Sequence, residues 1–599
     1  MCGFTGWFDF SPPPREVLER MTHALQHRGP DDMGLYCRGP VGLGHQRLAI
    51  IDVAAGAQPM VEGLFALAYN GEIYNFIELR EELKLLGHQF HTQCDTEVLF
   101  HALMEWKEGA LSRLQGMFAF AFWDGETLLL ARDPMGVKPL YICQIGRKWV
   151  FGSELKALLE HPAVSREIDL EAVGLYLECQ YIPAPYSIYQ KIRKLEAGHW
   201  LKIGEGVAEE GCYWMPNYEP KQQMGEEEAV IALEQQLRRS VRSMLVADVP
   251  VGAFVSGGVD SSLIAALMQQ EGGKRIEVFS IGVEHEESEQ KYAAQVAQYL
   301  GATFHPLQLC VKDFAKAMET VFDEPLGDQA ALPTLLLSQW ARPFVSVVLT
   351  GEGADEVFAG YSNYTKRLHE SVLCDRYGFL ALRSLYRLMP EKLRKNRLVK
   401  ALSRPRSRRY TTIPSLYDSE THPSIFTKDL LMAQRGGLEV LAEKHFLTCE
   451  SEDYLDRMLH IDQRLWLADD LLAKVDRSTM AHSLEARVPY LDHQLVEFAA
   501  SLPSHLKLRG QEGKYLLKKV ARQFLPHDIV YRPKRGFVMP LKEWIEGELA
   551  PCAQDALSEG GLLGRNLLRD GFREQNPTRL YALMSLEFWF RRYAPNYRL

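Results

Sequence analysis

The segment that most constrains this chain is VPVGAFVSGGVDSSLIAALMQQ, residues 249–270. A short apolar run gives way to Ser-Gly-Gly and then to a helical apolar pattern, which predicts a strand, a tight loop and a helix. The two glycines allow successive backbone N–H groups to converge, and the N-terminus of the following helix favours negative charge. No G-K-[ST] follows the glycines, so the loop is not a Walker loop. The sequence therefore predicts a phosphate-binding turn between a strand and a helix.

Further elements of the same kind follow this turn. Residues 275–283 and 344–351 are predicted strands, and residues 289–301 are a predicted helix. This alternation predicts a doubly wound parallel sheet, in which ligands bind beyond the carboxyl ends of the strands. The motifs SGGVDSS, SIGV and TGEGADEVFAGY fall at those ends. Because carboxylates beside phosphates need a mediating cation, Asp260 and Asp355 are the candidate Mg²⁺ ligands.

Lys474 lies within a helical apolar pattern in the segment 466–492. One interpretation is a surface lysine, whose stem covers apolar atoms while its ammonium group stays in water. The other is a fixed cation, which would stabilise negative charge on a bound phosphate group. The pattern alone does not separate the two.

Residues 2–201 have a different pattern, in which short apolar runs are separated by glycine-rich turns. They predict strands joined by hairpins, with helices at 75–86 and 96–106, and hence an α+β layered domain. A segment rich in Gly, Pro and acidic residues follows, and an amphipathic helix begins after it. We therefore predict a first domain at 2–205, a linker at 206–225 and a second, mainly helical α/β domain at 226–599.

Cys2 directly follows the initiator methionine, which is generally removed when the second residue is small. The thiol and the freed α-amine would then belong to the same residue, and an amine with a pKa of about 7.7 is a suitable base at neutral pH. If Cys2 attacks a carboxamide carbon, the oxyanion needs hydrogen-bond donors. The Asn70 side chain and the Gly71 backbone N–H are candidates for that role.

A substrate that carries an α-carboxylate and an α-ammonium group needs a guanidinium and carboxylates to bind it. Arg47 offers the first, and Glu72 and Asp95 offer the second. Each residue alone has a simpler explanation, since Asn-Gly is most often a turn and a lone Arg or Asp is most often solvated. Their order behind Cys2 favours the functional interpretation.

Composition excludes several other classes of protein. The net charge of −10 gives no electrostatic reason to expect nucleic acid or an anionic membrane as a partner. The ten cysteines form no C-x-x-C pair, so neither a zinc site nor a disulfide framework is indicated. No apolar run approaches the ~18 residues of a membrane span, and no signal peptide is evident. We expect a cytoplasmic protein that acts on small molecules.

Residues 376–409 are the one strongly basic region. An amphipathic cationic helix on a membrane surface or on nucleic acid is one interpretation. We favour a solvated helical hairpin, because the rest of the chain is acidic. The oligomeric state stays open, with a homodimer as the candidate.

Residues 2–201 resemble the class II glutamine amidotransferase domain through Cys2-Gly3, HRGPD, QRLAIID, NGEIYN and CDTE. That domain has an N-terminal-nucleophile hydrolase fold, in which two sheets are sandwiched between helices (αββα). The resemblance implies Cys2 as the nucleophile, its freed α-amine as the general base, and Asn70 with Gly71 as the oxyanion hole. It also implies that glutamine is bound by Arg47, Asn70, Glu72 and Asp95.

The loop SGGVDSS resembles the pyrophosphate loop of the ATP pyrophosphatases, which cleave ATP to AMP and pyrophosphate. The whole chain resembles the glutamine-hydrolysing asparagine synthetase family, through these motifs and through DEPLGDQAALPT, LTGEGADEVFAGY, LLAKVDRSTMAHSLEARVPYLD and RPKRGF. The family implies ATP and Mg²⁺ as cofactors. It also implies that ATP activates a carboxylate, in the parent case the β-carboxylate of aspartate, as an acyl-adenylate. Ammonia from glutamine then passes through the protein and displaces AMP.

The same resemblance implies roles for residues of the second domain. Glu352 would act in acid/base work on the amine nucleophile, and Lys474 would stabilise the charge of the transferred phosphoryl group. Ile281 and Gly351 would contact adenosine. The residues implied to bind ATP are Ser256, Gly257, Gly258, Asp260, Ser261, Ile281, Gly351 and Glu352.

Two positions depart from the usual pattern of the family. Gln329 stands near the acceptor pocket where a small serine is expected, and Ala359 stands where glycine is commoner. The acceptor therefore stays open, because related members amidate sugars, peptides or antibiotic precursors, or close rings. The intact Cys2 argues against ring closure, which needs no ammonia.

Two further alternatives are a sensor of glutamine or nucleotide without turnover, and a glutamine-dependent enzyme that transfers nitrogen to a phosphoribosyl group or a sugar. The complete nucleophile and phosphate loop argue against the first. The loop SGGVDSS argues against the second, which shares only the first domain.

Overall fold

The computed structural model describes residues 2–283, 289–318, 322–377, 389–390, 399, 403–409, 416–417, 421–533 and 539–599. The predicted hairpin in the basic region 376–409 lies largely outside these residues, as does most of RPKRGF. Within the described part of the chain, no helix is both long and apolar enough to cross a membrane.

The N-terminal region contains two antiparallel sheets of six strands each. The strands are β1 Gly3–Phe8, β2 Asp32–Arg38, β3 Val41–Arg47, β4 Met60–Glu62, β5 Phe65–Ile73, β6 Gly116–Trp123, β7 Leu128–Arg132, β8 Tyr141–Ile145, β9 Lys148–Gly152, β10 Ile192–Lys194, β11 His199–Gly204 and β12 Val207–Cys212. The first sheet has the order β10-β8-β9-β1-β3-β2, and the second has the order β12-β11-β7-β6-β5-β4.

Helices cover the outer faces of these two sheets. They are α1 Arg15–His23, α2 Phe76–Leu85, α3 Asp95–Trp106, α4 Leu155–Leu158 and α5 Leu170–Cys179, with a 3₁₀ turn at Lys107–Ser112. The inner faces of the two sheets share one apolar core, in which Phe4 and Leu43 lie with Ala68 and Ala121. Separate cores join the helices to each outer face. The layering confirms the predicted αββα sandwich of the N-terminal-nucleophile hydrolases.

The second region is built on a five-stranded parallel sheet with the order β15-β14-β13-β16-β17. Its strands are β13 Val251–Phe254, β14 Glu277–Val283, β15 Thr303–Leu309, β16 Val347–Leu349 and β17 Glu485–Arg487, and a hairpin of β18 Leu508–Arg509 and β19 Glu512–Gly513 follows. Parallel strands need crossover connections, which the helices provide. The predicted doubly wound α/β architecture is therefore confirmed.

Helices dominate the second region by length. They are α6 Glu226–Met244, α7 Val259–Gly272, α8 Gln290–Leu300, α9 Val311–Met318, α10 Ala331–Ala341, α11 Ala354–Phe358, α12 Ser362–Tyr377, α13 His422–Ile425, α14 Lys428–Ala433, α15 Gly437–Thr448, α16 Tyr454–Ile461, α17 Leu472–Met480, α18 His493–Ser501, α19 Ser504–Lys507, α20 Tyr515–Ala521, α21 His527–Val530, α22 Leu541–Glu546, α23 Ala550–Ala556 and α24 Pro577–Tyr593. A π-helical segment, Asp462–Leu471, joins α16 to α17, and short 3₁₀ turns lie at Arg406–Arg408 and Pro489–Leu491.

The predicted linker contains a strand. Residues 207–212 form β12, which pairs with β11 at the edge of the second sheet. Most of its side chains are exposed, so no apolar alternation marks it in the sequence. This part of the segment extends the first region, and the exact domain bounds stay a prediction.

An apolar core joins the two regions. Leu48, Ile50 and Met117 of the first region lie in the same buried cluster as Leu467 and Leu472 of the second. The residues that follow β3 are therefore packed against the second region.

Candidate active sites

Two strands place the predicted nucleophile beside its predicted oxyanion donors. Cys2 directly precedes β1, and Asn70 and Gly71 lie within β5 of the facing sheet. The Cys2 backbone N–H donates to Asn70 Oδ1 at 3.1 Å. A cavity beside this contact is lined by five of the predicted residues: Cys2, Arg47, Gly71, Glu72 and Asp95.

The Cys2 thiol is buried, and Arg47 and Glu72 are among the residues that line its cavity. Only 7% of the residue is exposed, and burial raises the pKa of the thiol above its usual value. The thiolate is the reactive form, so at neutral pH this sulfur needs a base to remove its proton. That requirement fits the predicted role of the α-amine that loss of Met1 would free.

The two predicted oxyanion donors belong to Asn70 and Gly71, which are consecutive residues of β5 beside Cys2. Asn70 Nδ2 is buried and has no hydrogen-bond partner among the described residues. A buried donor without a partner is costly, so it indicates a group that a substrate atom satisfies. Gly71 lies so close to Phe118 on β6 that an added Cβ would overlap the Met117 carbonyl oxygen. Only glycine fits there.

The two acidic residues of this cavity, Glu72 and Asp95, are buried, and hydrogen bonds fix the position of Asp95. Asp95 Oδ2 accepts hydrogen bonds from Tyr69 Oη at 2.8 Å and from the Ile73 N–H at 2.9 Å. Burial, with the neighbouring Asp95, raises the pKa of the Glu72 carboxyl well above its usual value, and Glu72 Oε2 has no described partner. An incoming ammonium group would lower the raised pKa of Glu72 and would give its Oε2 atom a partner.

Arg47 is held by a loop rather than by an acid. Its Nη1 donates to the Val53 carbonyl at 3.0 Å and its Nη2 donates to the Asp52 carbonyl at 2.7 Å. The same loop passes so near the guanidinium that a Cβ on Gly56 would lie 2.5 Å from Nη2. The loop therefore sets where the guanidinium points.

The second candidate site lies at the carboxyl edge of the parallel sheet. β13 and β16 are neighbours, with Ala253 opposite Leu349, so the segments that follow them emerge side by side. A cavity of about 560 Å³ opens there. The predicted residues that line it are Ser256, Asp260, Ser261, Ile281, Gly351, Glu352, Asp355 and Lys474.

The SGGVDSS loop has the geometry of an anion-binding turn. Gly257 has a φ of 73°, and an added Cβ would lie 2.6 Å from Ala293 N, so glycine is required. The Ser256 N–H donates to Ser261 Oγ at 3.1 Å, which folds the loop over the start of α7. Gly258 is the N-cap of that helix, without a side-chain hydrogen bond to its first amides. The N-terminus of α7 therefore faces the cavity with amides available to an anion.

Lys474 is buried in this cavity, which excludes the surface interpretation. Its Nζ lies 3.4 Å from Asp328 Oδ2 and 3.5 Å from Glu352 Oε1. Burial opposes its charge, but Glu352, Asp328 and Asp470 outweigh burial and raise the pKa of Lys474. The residue is a fixed cation beside Glu352.

A second buried cation, Lys514, is absent from the sequence predictions. Its Nζ forms ion pairs with Asp260 and Asp355, the candidate Mg²⁺ ligands, at 2.6 and 2.7 Å. The residue is 4% exposed and has a φ of 56° at the N-cap of α20. Its motif, EGKYLLKK, resembles an ordinary basic surface helix, so only the fold brings it to the site.

The two aspartates fit a magnesium ion that also binds phosphate. No group of three or more His, Cys, Asp or Glu among the described residues could hold a metal by itself. Mg²⁺ usually takes only one or two carboxylates, together with phosphates and waters. Asp260 and Asp355 would supply such carboxylates, and the Lys514 ammonium group pairs with both of them.

The structure shows the surroundings of Gln329 and the backbone of Ala359, the two residues that depart from the family pattern. Gln329 Nε2 donates to Thr578 Oγ1 at 2.9 Å, and both residues line the cavity. Ala359 adopts a φ of 56°, a region that favours glycine, which explains why glycine is commoner there.

Arg28, also missed at the sequence level, connects the two sites. Its Nε donates to the Cys2 carbonyl at 3.0 Å, and its Nη1 and Nη2 donate to Asp476 at 2.8 and 3.1 Å. Arg28 is fully buried, and Asp476 lies on α17, the helix that carries Lys474. HRGPD contains this arginine, but nothing in the sequence indicates its distant partner.

The fold and the two sites define an ATP-dependent amidotransferase ligase with a glutaminase domain. Residues 1–214 match the glutamine amidotransferase domain, and residues 232–591 match asparagine synthase. The chain belongs to the asparagine synthase family.

Similar proteins cover almost the whole chain. Asparagine synthetase (glutamine-hydrolyzing) 1 of Bacillus subtilis is 34% identical over 577 residues, which cover 93% of this chain and 90% of that protein. Asparagine synthetase (glutamine-hydrolyzing) 3 of the same organism is 32% identical over 569 residues, which cover 90% and 87%.

Proposed function

We propose that the protein is a glutamine-dependent asparagine synthetase that forms β-aspartyl-AMP and amidates it with ammonia from glutamine. The observation that carries this proposal is the buried contact through Arg28, which ties Cys2 to the helix of Lys474. The names of the two Bacillus relatives support aspartate as the acceptor.

In the first half-reaction the Cys2 sulfur attacks the carboxamide carbon of glutamine. Asn70 Nδ2 and the Gly71 N–H stabilise the oxyanion. The α-amine freed by loss of Met1 takes the thiol proton and returns it to the leaving nitrogen, so the C–N bond breaks and ammonia departs. Water then hydrolyses the thioester and releases glutamate.

Three charged residues orient glutamine for this attack. Arg47 binds the α-carboxylate, while Glu72 and Asp95 bind the α-ammonium group. Glu72 Oε2, which has no partner among the described residues, would gain one when glutamine binds.

In the second half-reaction a carboxylate oxygen of the acceptor attacks the α-phosphorus of ATP, and pyrophosphate leaves on the SGGVDSS loop. Lys474 and Lys514 stabilise the charge on the transferred phosphoryl group. Ammonia then attacks the acyl carbon, AMP leaves, and Glu352 accepts the proton that the nitrogen loses.

Mg²⁺ would be held by Asp260 and Asp355 and would neutralise charge on the phosphates of ATP. The cytoplasmic location rests on the scattered cysteines, nine of which are free thiols in the described part of the chain. A homodimer stays a prediction.

A second candidate function is the same ligase chemistry on another carboxylate, such as a peptide, a glycan or an antibiotic precursor. The observation that favours it is the Gln329–Thr578 contact in the cavity, where a serine is expected. A larger polar side chain there changes the shape of the acceptor pocket.

An isotope experiment tests the proposal. The protein is supplied with amide-¹⁵N glutamine, aspartate and Mg-ATP, and the products are analysed by mass spectrometry. We expect ¹⁵N-asparagine together with AMP and pyrophosphate. ADP as the product would exclude the adenylate, and AMP formation only with another acceptor would support the second candidate.

A further inference from the structure

A carboxylate of the second region contacts the loop of the glutamine site. Asp248 Oδ2 accepts a hydrogen bond from the Asp52 backbone N–H at 2.7 Å. In return, the Asp248 N–H donates to the Ile50 carbonyl at 2.9 Å. Because the two bonds run in opposite directions between the same short segments, they fix both the position and the orientation of residues 50–52.

Asp52 connects Asp248 to the predicted glutamine-binding residues through further hydrogen bonds. Its carbonyl accepts hydrogen bonds from Arg47 Nη2 at 2.7 Å and from the Gly56 N–H at 3.2 Å. Its carboxylate Oδ2 accepts one from the Gln93 N–H at 2.7 Å, in the loop that leads to Asp95. Asp52 therefore fixes both the Arg47 guanidinium and the loop that leads to Asp95.

The backbone of Asp52 depends on such contacts. Its φ is 47°, in the left-handed region, which is less favourable for aspartate than for glycine, so hydrogen bonds to this segment help to keep it there. The Asp52 backbone links Asp248 to the guanidinium of Arg47, since its N–H donates to Asp248 and its carbonyl accepts from Arg47. The contact also lies at the entrance to β13, the strand that leads to the SGGVDSS loop.

We propose that Asp248 is a positioning residue for glutamine: its carboxylate fixes the Asp52 backbone and thereby the binding geometry of Arg47 and Asp95. This inference rests on the proposed roles of Arg47 and Asp95. It means that the glutaminase site is completed by the second region, at the strand that also supports the ATP loop.

Glutaminase kinetics of Asp248→Ala test the proposal. We expect the KM for glutamine to rise about fivefold, the effect of losing one hydrogen bond at a partly exposed site, with kcat within about twofold of the wild type. Asp248→Asn keeps an acceptor oxygen and should restore the wild-type KM. Glu271→Ala is the matched control, because Glu271 pairs with Arg238 on the second region and leaves the interface intact.

Two further measurements separate positioning from general damage. Pyrophosphate release with ammonium chloride, and the rate of Cys2 alkylation by iodoacetamide, should both be unchanged in Asp248→Ala. A wild-type KM in that variant overturns the proposal. Equal losses with glutamine and ammonium in both Asp248 variants also overturn it. Absence of glutamine hydrolysis in the wild type would instead refute the proposed function.

Discussion

Lys514 Nζ lies 2.6 Å from Asp260 Oδ2 and 2.7 Å from Asp355 Oδ1, so one ammonium group joins the two carboxylates proposed to hold Mg²⁺. Burial alone would lower the pKa of Lys514, but the two carboxylates outweigh it and raise the pKa. The lysine therefore stays charged at neutral pH, beside the loop proposed to bind pyrophosphate.

Replacing this charge should slow adenylation strongly. Lys514→Met keeps most of the side-chain volume, and we expect pyrophosphate release to fall about 10²–10³-fold with either glutamine or ammonium. Glutaminase activity should stay near the wild-type value. Lys518→Met on the same helix, where the lysine pairs with Glu512, is the control and should retain both activities. Wild-type pyrophosphate release by Lys514→Met would contradict the assignment.

Asn70→Ala removes the buried Nδ2 donor, which has no partner among the described residues, together with the Oδ1 atom that accepts from the Cys2 N–H. Because this donor is proposed to act on the oxyanion, glutaminase kcat should fall about 10²–10³-fold while KM changes little. Steady-state glutamate production measures both constants. Asn75→Ala, in the same NGEIYN motif, removes hydrogen bonds to the Arg113 and Gln115 backbones and should leave kcat unchanged. An equal loss in both variants would mean that Asn70 is only structural.

Gly56→Ala should move the guanidinium of Arg47. The new methyl group would lie 2.5 Å from Nη2, closer than real contacts allow, so the side chain must shift. We expect a higher KM for glutamine and unchanged ammonium-dependent synthesis. Gly225→Ala, where an added Cβ meets open space, is the control. A wild-type KM for Gly56→Ala would contradict the proposed role of Arg47 in binding glutamine.

Ionisation of the buried Glu356 carboxyl should lower the free energy of unfolding as the pH rises. Burial, with the neighbouring Asp355, raises the pKa of this carboxyl to about 8. Between its unfolded pKa of 4.5 and the folded value of about 8, the folded state binds a proton that the unfolded state has lost, so stability falls as the pH rises. Glu356→Gln keeps an acceptor for the Tyr361 hydroxyl and removes the titration. Melting temperatures from pH 5 to 8 should fall more steeply for the wild type than for this variant, and parallel curves would contradict the shift.

Much of the fold could be predicted because its signals are local. Glycine at 257 and the apolar patterns on either side are enough to indicate strand, loop and helix, and the observed α7 begins at Val259. The edge strand β12 was missed because its exposed charged residues give no alternation. The strand propensity of single residues and the alternation of apolar residues do not predict a strand that is stabilised mainly by backbone hydrogen bonds to its neighbour.

The candidate sites also combine residues that the sequence predicts with residues that it does not. Cys2, Asn70 and Gly71 are recognisable from their order in the chain, and the fold brings them together. Lys514 and the Arg28–Asp476 contact were not predicted, because each depends on residues hundreds of positions apart. Contacts of that kind follow from the packing of two regions, which no local pattern encodes.

The most direct test of two cooperating sites is nitrogen transfer by Cys2→Ala. With amide-¹⁵N glutamine as the nitrogen source, this variant should form no labelled asparagine, whereas with ¹⁵N-ammonium chloride it should form asparagine at the wild-type rate. Labelled asparagine from glutamine at an undiminished rate would contradict the account.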